Sequence, residues 1–378
     1  MAEPLVNQYG PEVPRRVADM LHAVCPTFDV NAFMVDVLQG YAALDLMARG
    51  RHMALALRRH LPSDVEMAMD LLVASARHVD KGEGSLASFL FLPHTCFVAE
   101  FGLAHFEAAM RAQHALTQVF TAEFSIRPFL EQHPQATLER LAEWVSDPSP
   151  HVRRLVSEGT RPRLPWGRRL QAFQLDPRPV LALLERLKDD PELYVRRSVA
   201  NNLNDIGKDH PEVLVATARR WLLESSEHPG RFPHRRWVAE HALRSLTKAG
   251  HLGALSVLGF GERARVELLT PSVWPPQPAI GRSVELAFSL RNPEPMEQNL
   301  RVDLGVHYVK ANGLTRLKVF KLKVVRLAPG ATEAFRKKLS LAQMSTRVHY
   351  PGLHLVTVWV NGRPEPLGEF HLQPSITS

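Results

Sequence analysis

The chain has 378 residues, of which 45% are hydrophobic, and a formal net charge of +7. A chain of this length and composition can bury two or three domain cores, which excludes a disordered or fibrous protein. Only two cysteines occur, Cys25 and Cys96, which excludes a disulfide framework and a cysteine-rich metal site.

The N-terminus and the most apolar stretch predict a soluble, cytoplasmic protein. Residues Met1–Val6 lack the basic and apolar regions of a signal peptide. The stretch Leu86–Phe106 is interrupted by a proline, two histidines and a glutamate, which is unfavourable for a membrane span. We therefore expect no membrane partner.

The net charge is distributed unevenly along the chain. Residues 1–150 contain 18 acidic and 11 basic residues, a net charge of −7. Residues 151–250 contain 12 acidic and 19 basic residues, and residues 251–378 contain 9 and 16, so each segment carries +7. Such asymmetry predicts an anionic partner, and nucleic acid is the usual one for a soluble protein. The alternative is a generally basic, solvated surface.

Residues 11 to about 258 have the apolar spacing of helices, with short turns that contain proline and aspartate. Two examples are Val13, Val17 and Leu21, and Leu138 and Leu141. The alternation typical of strands is absent from this part of the chain.

A repeat lies within the helical part. The segment Asp147–Arg154 returns 43 residues later as Asp190–Arg197, and His234–Glu240 is a degenerate third copy. In each copy an apolar helix ends in an Asp-Pro turn or a loop, and a second helix opens with paired arginines. The pattern resembles HEAT repeats, whose period is about 40–47 residues and which stack into a curved solenoid. We therefore predict an all-α, HEAT-like-repeat domain over residues 1–258.

After residue 260 the apolar pattern changes to the alternation of strands. The seven alternating runs are Arg265–Leu269, Ser283–Leu290, Leu300–Val309, Arg316–Arg326, Ala334–Leu341, Leu353–Val360 and Leu367–Leu372. The pairs Asn312-Gly313 and Asn361-Gly362 favour type I′ hairpin turns, and Trp274–Pro276 is predicted as a loop or edge segment. Seven short strands predict an all-β, immunoglobulin-like sandwich over residues 262–378, without the usual buried cysteine pair.

A polar stripe repeats on the second helices of the three repeats. It consists of Arg154 and Glu158, of Arg197, Asn201 and Asp205, and of Arg236 and Glu240. Residues four apart share a helix face, so each set should point to solvent or to a groove. Ordinary surface ion pairs would give the same spacing. However, an arginine at the same position of each repeat suits a protein that tracks a DNA backbone.

The first repeat departs from its template just after Glu158. Gly159 and two prolines end the helix, and Pro165 is predicted to start the next one with Trp166 in its first turn. A turn with four nearby arginines, beside a carboxylate, is a candidate site, although Trp166 could instead be a core anchor. Upstream, Glu123 and Arg127 lie among aromatic residues, either as a buried ion pair or as part of a groove.

Three segments carry a resemblance to a known family. They are Thr121–Phe129, Val152–Trp166 and Val195–Asp205, which resemble the AlkC-type alkylbase DNA glycosylases, relatives of the AlkD HEAT-like-repeat enzymes. Some members are similar in having a C-terminal immunoglobulin-like domain. The resemblance implies a base-excision repair enzyme that hydrolyses the N-glycosidic bond of 3-methyladenine and 3-methylcytosine in duplex DNA, without full base flipping.

The resemblance also implies roles for individual residues. Glu158 and Trp166 would line the lesion site, with Glu123 and Asp205 supporting it. The arginines assigned to DNA are Arg127, Arg153, Arg154, Arg161, Arg163, Arg168, Arg169, Arg196, Arg197, Arg235 and Arg236. A cationic base leaves as a neutral group, so a carboxylate is needed to stabilise positive charge on the sugar and to orient water. We expect Glu158 to be the principal carboxylate and Asp205 its main competitor.

The expected partner is duplex DNA with alkylated bases, bound by a monomer. No metal, nucleotide or redox cofactor is predicted, since the sequence has no His-Glu-x-x-His motif and no phosphate loop. Basic residues of the sandwich, including Lys321 and Lys323 on one strand face, could form a second DNA contact or only a solvated surface. The alternative function is a non-catalytic HEAT-repeat scaffold that binds DNA or protein.

Overall fold

Helices make up the first two thirds of the chain and strands the last third. The computed structural model describes residues 5–77, 87–228, 230, 232–261, 264–344 and 348–375. The helices found there are α1 Glu12–Val24, α2 Val30–Val37, α3 Leu46–His60, α4 Val65–Arg77, α5 Leu92–Phe101, α6 Phe106–Leu116, α7 Ile126–Gln132, α8 Pro134–Trp144, α9 Pro150–Gly159, α10 Gln171–Leu175, α11 Arg178–Leu187, α12 Leu193–Ile206, α13 Pro211–Glu227, α14 Arg235–Lys248 and α15 Leu252–Val257. The predicted helical part, from residue 11 to about 258, is confirmed.

The Asp-Pro turns form between helices as the repeat predicts. The turn at Asp147 joins α8 to α9, and the turn at Asp190 joins α11 to α12. Each aspartate side chain accepts the backbone N–H two residues later, from Ser149 at 2.8 Å and from Glu192 at 2.9 Å. This Asx turn fixes the chain reversal before the second helix of each pair.

The apolar faces of α9 and α12 pack together. Val152 and Val156 on α9, and Val195, Val199 and Leu203 on α12, are fully buried as predicted. The opposite face of each helix carries the polar stripe.

A close approach between α7 and α9 explains Gly159. A Cβ atom at Gly159 would lie 2.6 Å from Cγ2 of Ile126, closer than real carbon atoms pack. Glycine therefore lets the end of α9 approach the start of α7, which brings the segment before α7 near the carboxylates of α9.

The prediction of a helix starting at Pro165 is wrong. Residues after α9 form a compact loop, closed by hydrogen bonds from Gly167 N to Leu164 O and from Leu170 N to Pro162 O, both 3.2 Å. Trp166 has φ +62°, a left-handed conformation that cannot belong to a right-handed helix. The next helix, α10, begins only at Gln171.

The seven predicted strands are confirmed. They are β1 Glu267–Trp274, β2 Ser283–Arg291, β3 Gln298–Val309, β4 Thr315–Leu327, β5 Thr332–Ser340, β6 Gly352–Val360 and β7 Arg363–Leu372. They pair antiparallel in two sheets, with orders β1-β2-β5 and β4-β3-β6-β7. Inward side chains of both sheets, such as Leu286, Phe288, Val302 and Val358, form one apolar core. This is an immunoglobulin-like sandwich, and Trp274 ends an edge strand as expected.

The two Asn-Gly pairs form different turns. Asn361 and Gly362 both have positive φ, +46° and +79°, and link β6 to β7 by the predicted type I′ turn. At the other pair only Gly313 has positive φ, and Lys310 N donates to Leu314 O. That hairpin has a three-residue loop with glycine in the left-handed position, so the type I′ prediction is wrong there.

The chain divides into two compact units. Unit 1 comprises Met1–His210 with His228–His241, and unit 2 comprises Pro211–Glu227 with Ala242–Ser378. Unit 2 therefore contains α13, α15 and the end of α14 together with the sandwich. The boundary near residue 260 marks where helices give way to strands.

Among the described helices, none is both long and apolar enough to span a bilayer.

Candidate functional site

A cleft lies in unit 1, where α9, α12, the loop after α9 and the segment before α7 meet. Its volume is about 570 Å³. The chemically active side chains that line it are Glu123, Arg154, Glu158, Arg161, Trp166 and Tyr194. Two carboxylates and two guanidinium groups therefore share one cleft with several aromatic rings.

Arg154 joins the two carboxylates of the cleft. Its Nη2 lies 2.8 Å from Oε2 of Glu123 and 3.5 Å from Oε1 of Glu158, and its Nη1 donates to Oγ1 of Thr121 at 3.0 Å. The guanidinium also lies 5.0 Å from the ring centre of Tyr194. Burial by itself lowers the pKa of Arg154, but the carboxylates of Glu158 and Glu123 outweigh it and the pKa rises above its ordinary value. Arg154 thus stays charged and holds both acids in place.

Arg161 joins Glu158 to Asp205. Its Nη1 donates to Oε1 of Glu158 at 2.7 Å and its Nε to Oδ2 of Asp205 at 2.8 Å. The second oxygen of Asp205 accepts from Nζ of Lys208 at 2.7 Å. Burial again lowers the pKa of Arg161, and the two acids raise it further than burial lowers it. We call Glu123, Arg154, Glu158, Arg161 and Asp205 the carboxylate–arginine cluster.

The three predicted acids therefore come together but differ in access. Glu123 and Glu158 line the cleft, whereas the side chain of Asp205 is only 2% exposed and lies behind Arg161. Both oxygens of Asp205 are bonded to cations, so in this arrangement it orients Arg161. Glu123 accepts from Arg154 and Thr121 through Oε2, and no partner of its Oε1 is found among the described residues.

Trp166 and Tyr194 line the cleft together with three phenylalanines. Trp166 is 68% exposed, so it is not a core anchor. Its positive φ turns the indole outward from the loop at a cost of roughly 1 kcal/mol for a residue with a Cβ atom. A strained, exposed tryptophan beside two carboxylates is a feature that packing alone does not require.

The paired arginines of the repeats have separate roles. The first arginine of a pair closes its own Asp-Pro turn: Arg153 donates to the carbonyls of Asp147 and Pro148, and Arg196 to those of Asp190 and Pro191. Arg153 also forms a bidentate bond with Asp190 of the next repeat.

In the third repeat Arg235 forms the same kind of bidentate bond with Asp189 and is 3% exposed. We therefore correct the assignment of Arg153, Arg196 and Arg235 to DNA, because their guanidinium groups are committed to turns and repeat contacts.

Arg127 is a second correction. It is 1% exposed, and its guanidinium donates to the carbonyls of Gly159, Arg161 and Arg168. Burial lowers its pKa to about 10. The alternative of a buried ion pair is not formed, since every bond of the guanidinium goes to the backbone of the end of α9 and of the loop that carries Trp166.

Four of the predicted arginines remain open to a polyanion. Arg168, Arg169, Arg197 and Arg236 are exposed, with Arg168 near Glu131 and Arg236 paired with Glu240 at 2.9 Å. Arg163 is partly buried in a bidentate bond with Asp209. The DNA assignment of these five stays a prediction.

The sequence reasoning missed Thr121, Tyr194 and Ser198. Ser198 donates to Oε2 of Glu158 at 2.6 Å from a buried position on α12. The repeat itself contained a signal for Tyr194, because it stands at the position that His151 has in the first repeat. The two rings meet edge to face at 5.6 Å.

A second, basic groove lies within unit 2. It measures about 1110 Å³ and is formed by the end of α14, the β3–β4 hairpin and residues near Tyr350. Its lining includes Lys248, Lys310, Arg316 and Lys318, and no carboxylate is found among the described residues that line it. Lys321 and Lys323, which the sequence singled out, are exposed on β4, and Lys323 is paired with Glu333.

No group of three or more acidic, histidine or cysteine side chains suited to a metal ion occurs among the described residues.

Comparison with known proteins covers the whole chain. The C-terminal immunoglobulin-like domain family of the uncharacterised protein YhaZ matches residues 267–374. YhaZ of Bacillus subtilis (strain 168) is 35% identical over 365 residues, covering 96% of this chain and 98% of that protein. The structure of the Pseudomonas fluorescens alkylpurine DNA glycosylase AlkC, bound to DNA containing an abasic site analog, is 38% identical with a TM-score of 0.89. It matches 98% of this chain and 100% of that one.

Proposed function

Because this chain belongs to the family that contains AlkC and YhaZ, we propose that it is a DNA glycosylase that removes cationic alkylated bases from duplex DNA. The substrates we propose are 3-methyladenine and 3-methylcytosine. The observation that carries the proposal is the carboxylate–arginine cluster in an open cleft, opposite an exposed tryptophan.

The charge of the cluster suits this reaction. An N3-alkylated base is already cationic and departs as a neutral molecule, so no proton donor is required at the base. As the glycosidic bond breaks, positive charge develops on the deoxyribose, and a fixed, largely buried carboxylate stabilises it. Two arginines hold Glu158 and Glu123 in place before the substrate arrives, so little reorganisation is needed during the reaction.

We assign different roles to the two carboxylates that line the cleft. Both oxygens of Glu158 are bonded, to Arg161 and to Ser198, so it acts as a fixed negative charge against the sugar. Glu123 has its Oε1 available and can accept a hydrogen bond from the attacking water. The face of Trp166 can pack on the deoxyribose or the base and favour positive charge there.

The phosphates would be held by the exposed arginines. Arg168, Arg169, Arg197 and Arg236 supply charge on unit 1, while the arginines of the cluster are bonded to carboxylates. The groove of unit 2 is our candidate for a further phosphate contact, because four of its lining side chains are basic.

Release of free base from methylated duplex tests the proposal. We expect the wild-type chain to release 3-methyladenine or 3-methylcytosine and Glu158→Gln to reduce the single-turnover rate by about 10²–10³-fold, the usual effect of losing one preorganised charge contact. DNA affinity should change by less than about threefold, because Glu158 is mostly buried and the exposed arginines are left unchanged.

Glu240→Gln is the matched control. Glu240 lies four residues after Arg236, the spacing that Glu158 has to Arg154, but it is exposed in the third repeat. An unchanged rate in Glu158→Gln would remove that carboxylate from the mechanism. If the wild-type chain binds duplex DNA in a salt-dependent way and releases no base, the non-catalytic scaffold is the better description.

A further inference from the structure

Behind Glu158 lies a buried hydrogen-bond network that the reaction itself does not use. It links α9 to α12 through Ser157, Thr160, Ser198 and Asn202, all at most 2% exposed. Asn202 Nδ2 donates to the Ser157 carbonyl at 2.7 Å and to Oγ1 of Thr160 at 3.0 Å. The hydroxyls of Ser157 and Ser198 lie 3.1 Å apart.

The network ends on the carboxylate. A hydroxyl has one proton to donate. The 2.6 Å distance from Ser198 Oγ to Glu158 Oε2 shows that Ser198 donates it to the carboxylate. This length is typical of a hydroxyl that donates to an ionised carboxylate, a class of bond about twice as strong as a neutral one. The hydroxyl of Ser157, at 3.1 Å, is the other acceptor within reach of that proton, and the shorter contact assigns the proton to Glu158.

We propose that Ser198 is a positioning residue that fixes the carboxylate of Glu158 toward the deoxyribose. This rests on the proposed function of Glu158. Arg161 holds Oε1 from the loop side and Ser198 holds Oε2 from α12, so the plane of the carboxylate is set by two bonds at 2.7 and 2.6 Å. With Ser198 removed, the carboxylate can rotate about its bond to Arg161 and its charge is no longer directed at the sugar.

Burial explains why a serine is suited to this position. The side chain of Glu158 is 7% exposed, so water cannot readily replace a missing donor at Oε2. An unmet hydrogen bond of a buried, charged oxygen is costly, and rotation of the side chain is the simplest relief. A second cation at that oxygen would instead weaken the negative charge that the developing sugar cation requires.

The test uses Ser198→Ala in the full-length protein with two measurements. The first is the affinity ratio between duplexes that contain a cationic pyrrolidine and a neutral tetrahydrofuran abasic analogue, which reports the negative charge facing the sugar. We expect wild type to prefer the cationic duplex and Ser198→Ala to lose about tenfold of that preference. The second is the single-turnover rate of base release, which should fall by a similar factor while the affinity for the neutral duplex is kept.

Two comparisons separate positioning from a loss of stability. Ser75→Ala removes another buried hydroxyl of unit 1, which donates to Leu72 O and lies 3.1 Å from His94, and should lower stability without changing the preference. In a Glu158→Gln background, Ser198→Ala should no longer affect the preference.

The outcomes also separate the two proposals. If wild type prefers the cationic duplex and Ser198→Ala keeps that preference, Ser198 has no positioning role. If wild type shows no preference, the charge assigned to Glu158 is absent and the positioning role is overturned with it. Wild type that prefers the cationic duplex but releases no base contradicts the proposed function alone.

Discussion

Arg127 gives the sharpest test of the site's construction, because the sequence and the structure assign it opposite roles. The sequence predicts a contact with DNA, whereas its guanidinium is buried and donates to three backbone carbonyls around the loop after α9. Replacing it by methionine in Arg127→Met keeps an unbranched apolar stem and removes all the donors.

The expected loss of stability follows from two opposing terms. Three hydrogen bonds from a charged donor contribute about 1.5–3 kcal/mol each. Against this, burial lowers the pKa of Arg127 to about 10, a cost near 3 kcal/mol for the charged form. The net loss in Arg127→Met should be about 3 kcal/mol, which lowers the midpoint of thermal unfolding by roughly 6–12 °C for a unit of this size.

Thermal unfolding and DNA binding measured over a range of salt distinguish the roles. Arg127→Met should unfold earlier and release base more slowly, because Trp166 lies in the loop it anchors, while the slope of log affinity against log salt stays the same. Arg168→Met and Arg169→Met are matched controls on the exposed side of that loop, and each should keep the midpoint and lose about one unit of slope. Normal stability with a reduced slope in Arg127→Met would show that it binds phosphate.

Three further predictions concern other parts of the molecule. Trp166→Gly should change the free energy of unfolding by less than about 1 kcal/mol, since glycine accepts φ +62° and the indole is mostly exposed. The same variant should reduce the rate of base release at least tenfold, and a normal rate would exclude Trp166 from the mechanism. The double variant Lys310→Gln, Arg316→Gln should reduce the slope of log affinity against log salt by about two. The same change at two exposed basic residues of β5 should leave that slope unchanged. Burial lowers the pKa of His94 to about 3, so below pH 6.5 the unfolded chain takes up a proton that the folded chain does not. The free energy of unfolding should therefore be highest above pH 6.5 and lower by about 2 kcal/mol at pH 5. Chemical denaturation of His94→Gln should show a flatter profile, and an equally steep one would contradict this cause.

The fold was predictable because its signals are local and repeated. Apolar spacing identified the helices and the seven strands, and the two copies of the Asp-Pro segment identified the paired helices before any contact was known. The errors came where one residue's backbone conformation decides the outcome. Pro165 is a good first residue of a helix by itself, but the left-handed Trp166 that follows it prevents one. The hairpin at Gly313 has one more loop residue than the Asn-Gly pair suggests.

The site was less predictable, because residues with the same chemistry have different surroundings. Within a pair such as Arg153 and Arg154, adjacent residues point about 100° apart on the helix, so one reaches the neighbouring repeat and the other the cleft. Nothing in the residue type distinguishes them. Ser198 could not be found at all, since its importance depends on the distance between α9 and α12, which the sequence does not contain.

The ion pairs of the cluster also limit how the protein can hold DNA. An arginine that holds a carboxylate of the cleft, such as Arg154 or Arg161, cannot at the same time neutralise a phosphate without releasing that carboxylate. Of the predicted DNA-binding arginines, the four exposed ones and Arg163 are then left to release counterions on binding, and at about 0.9 per phosphate their combined salt slope is at most about 4.5. A much steeper slope from those positions would mean that DNA binding opens the cluster. The two carboxylates of the cleft would then face the substrate without the charges that hold them in place.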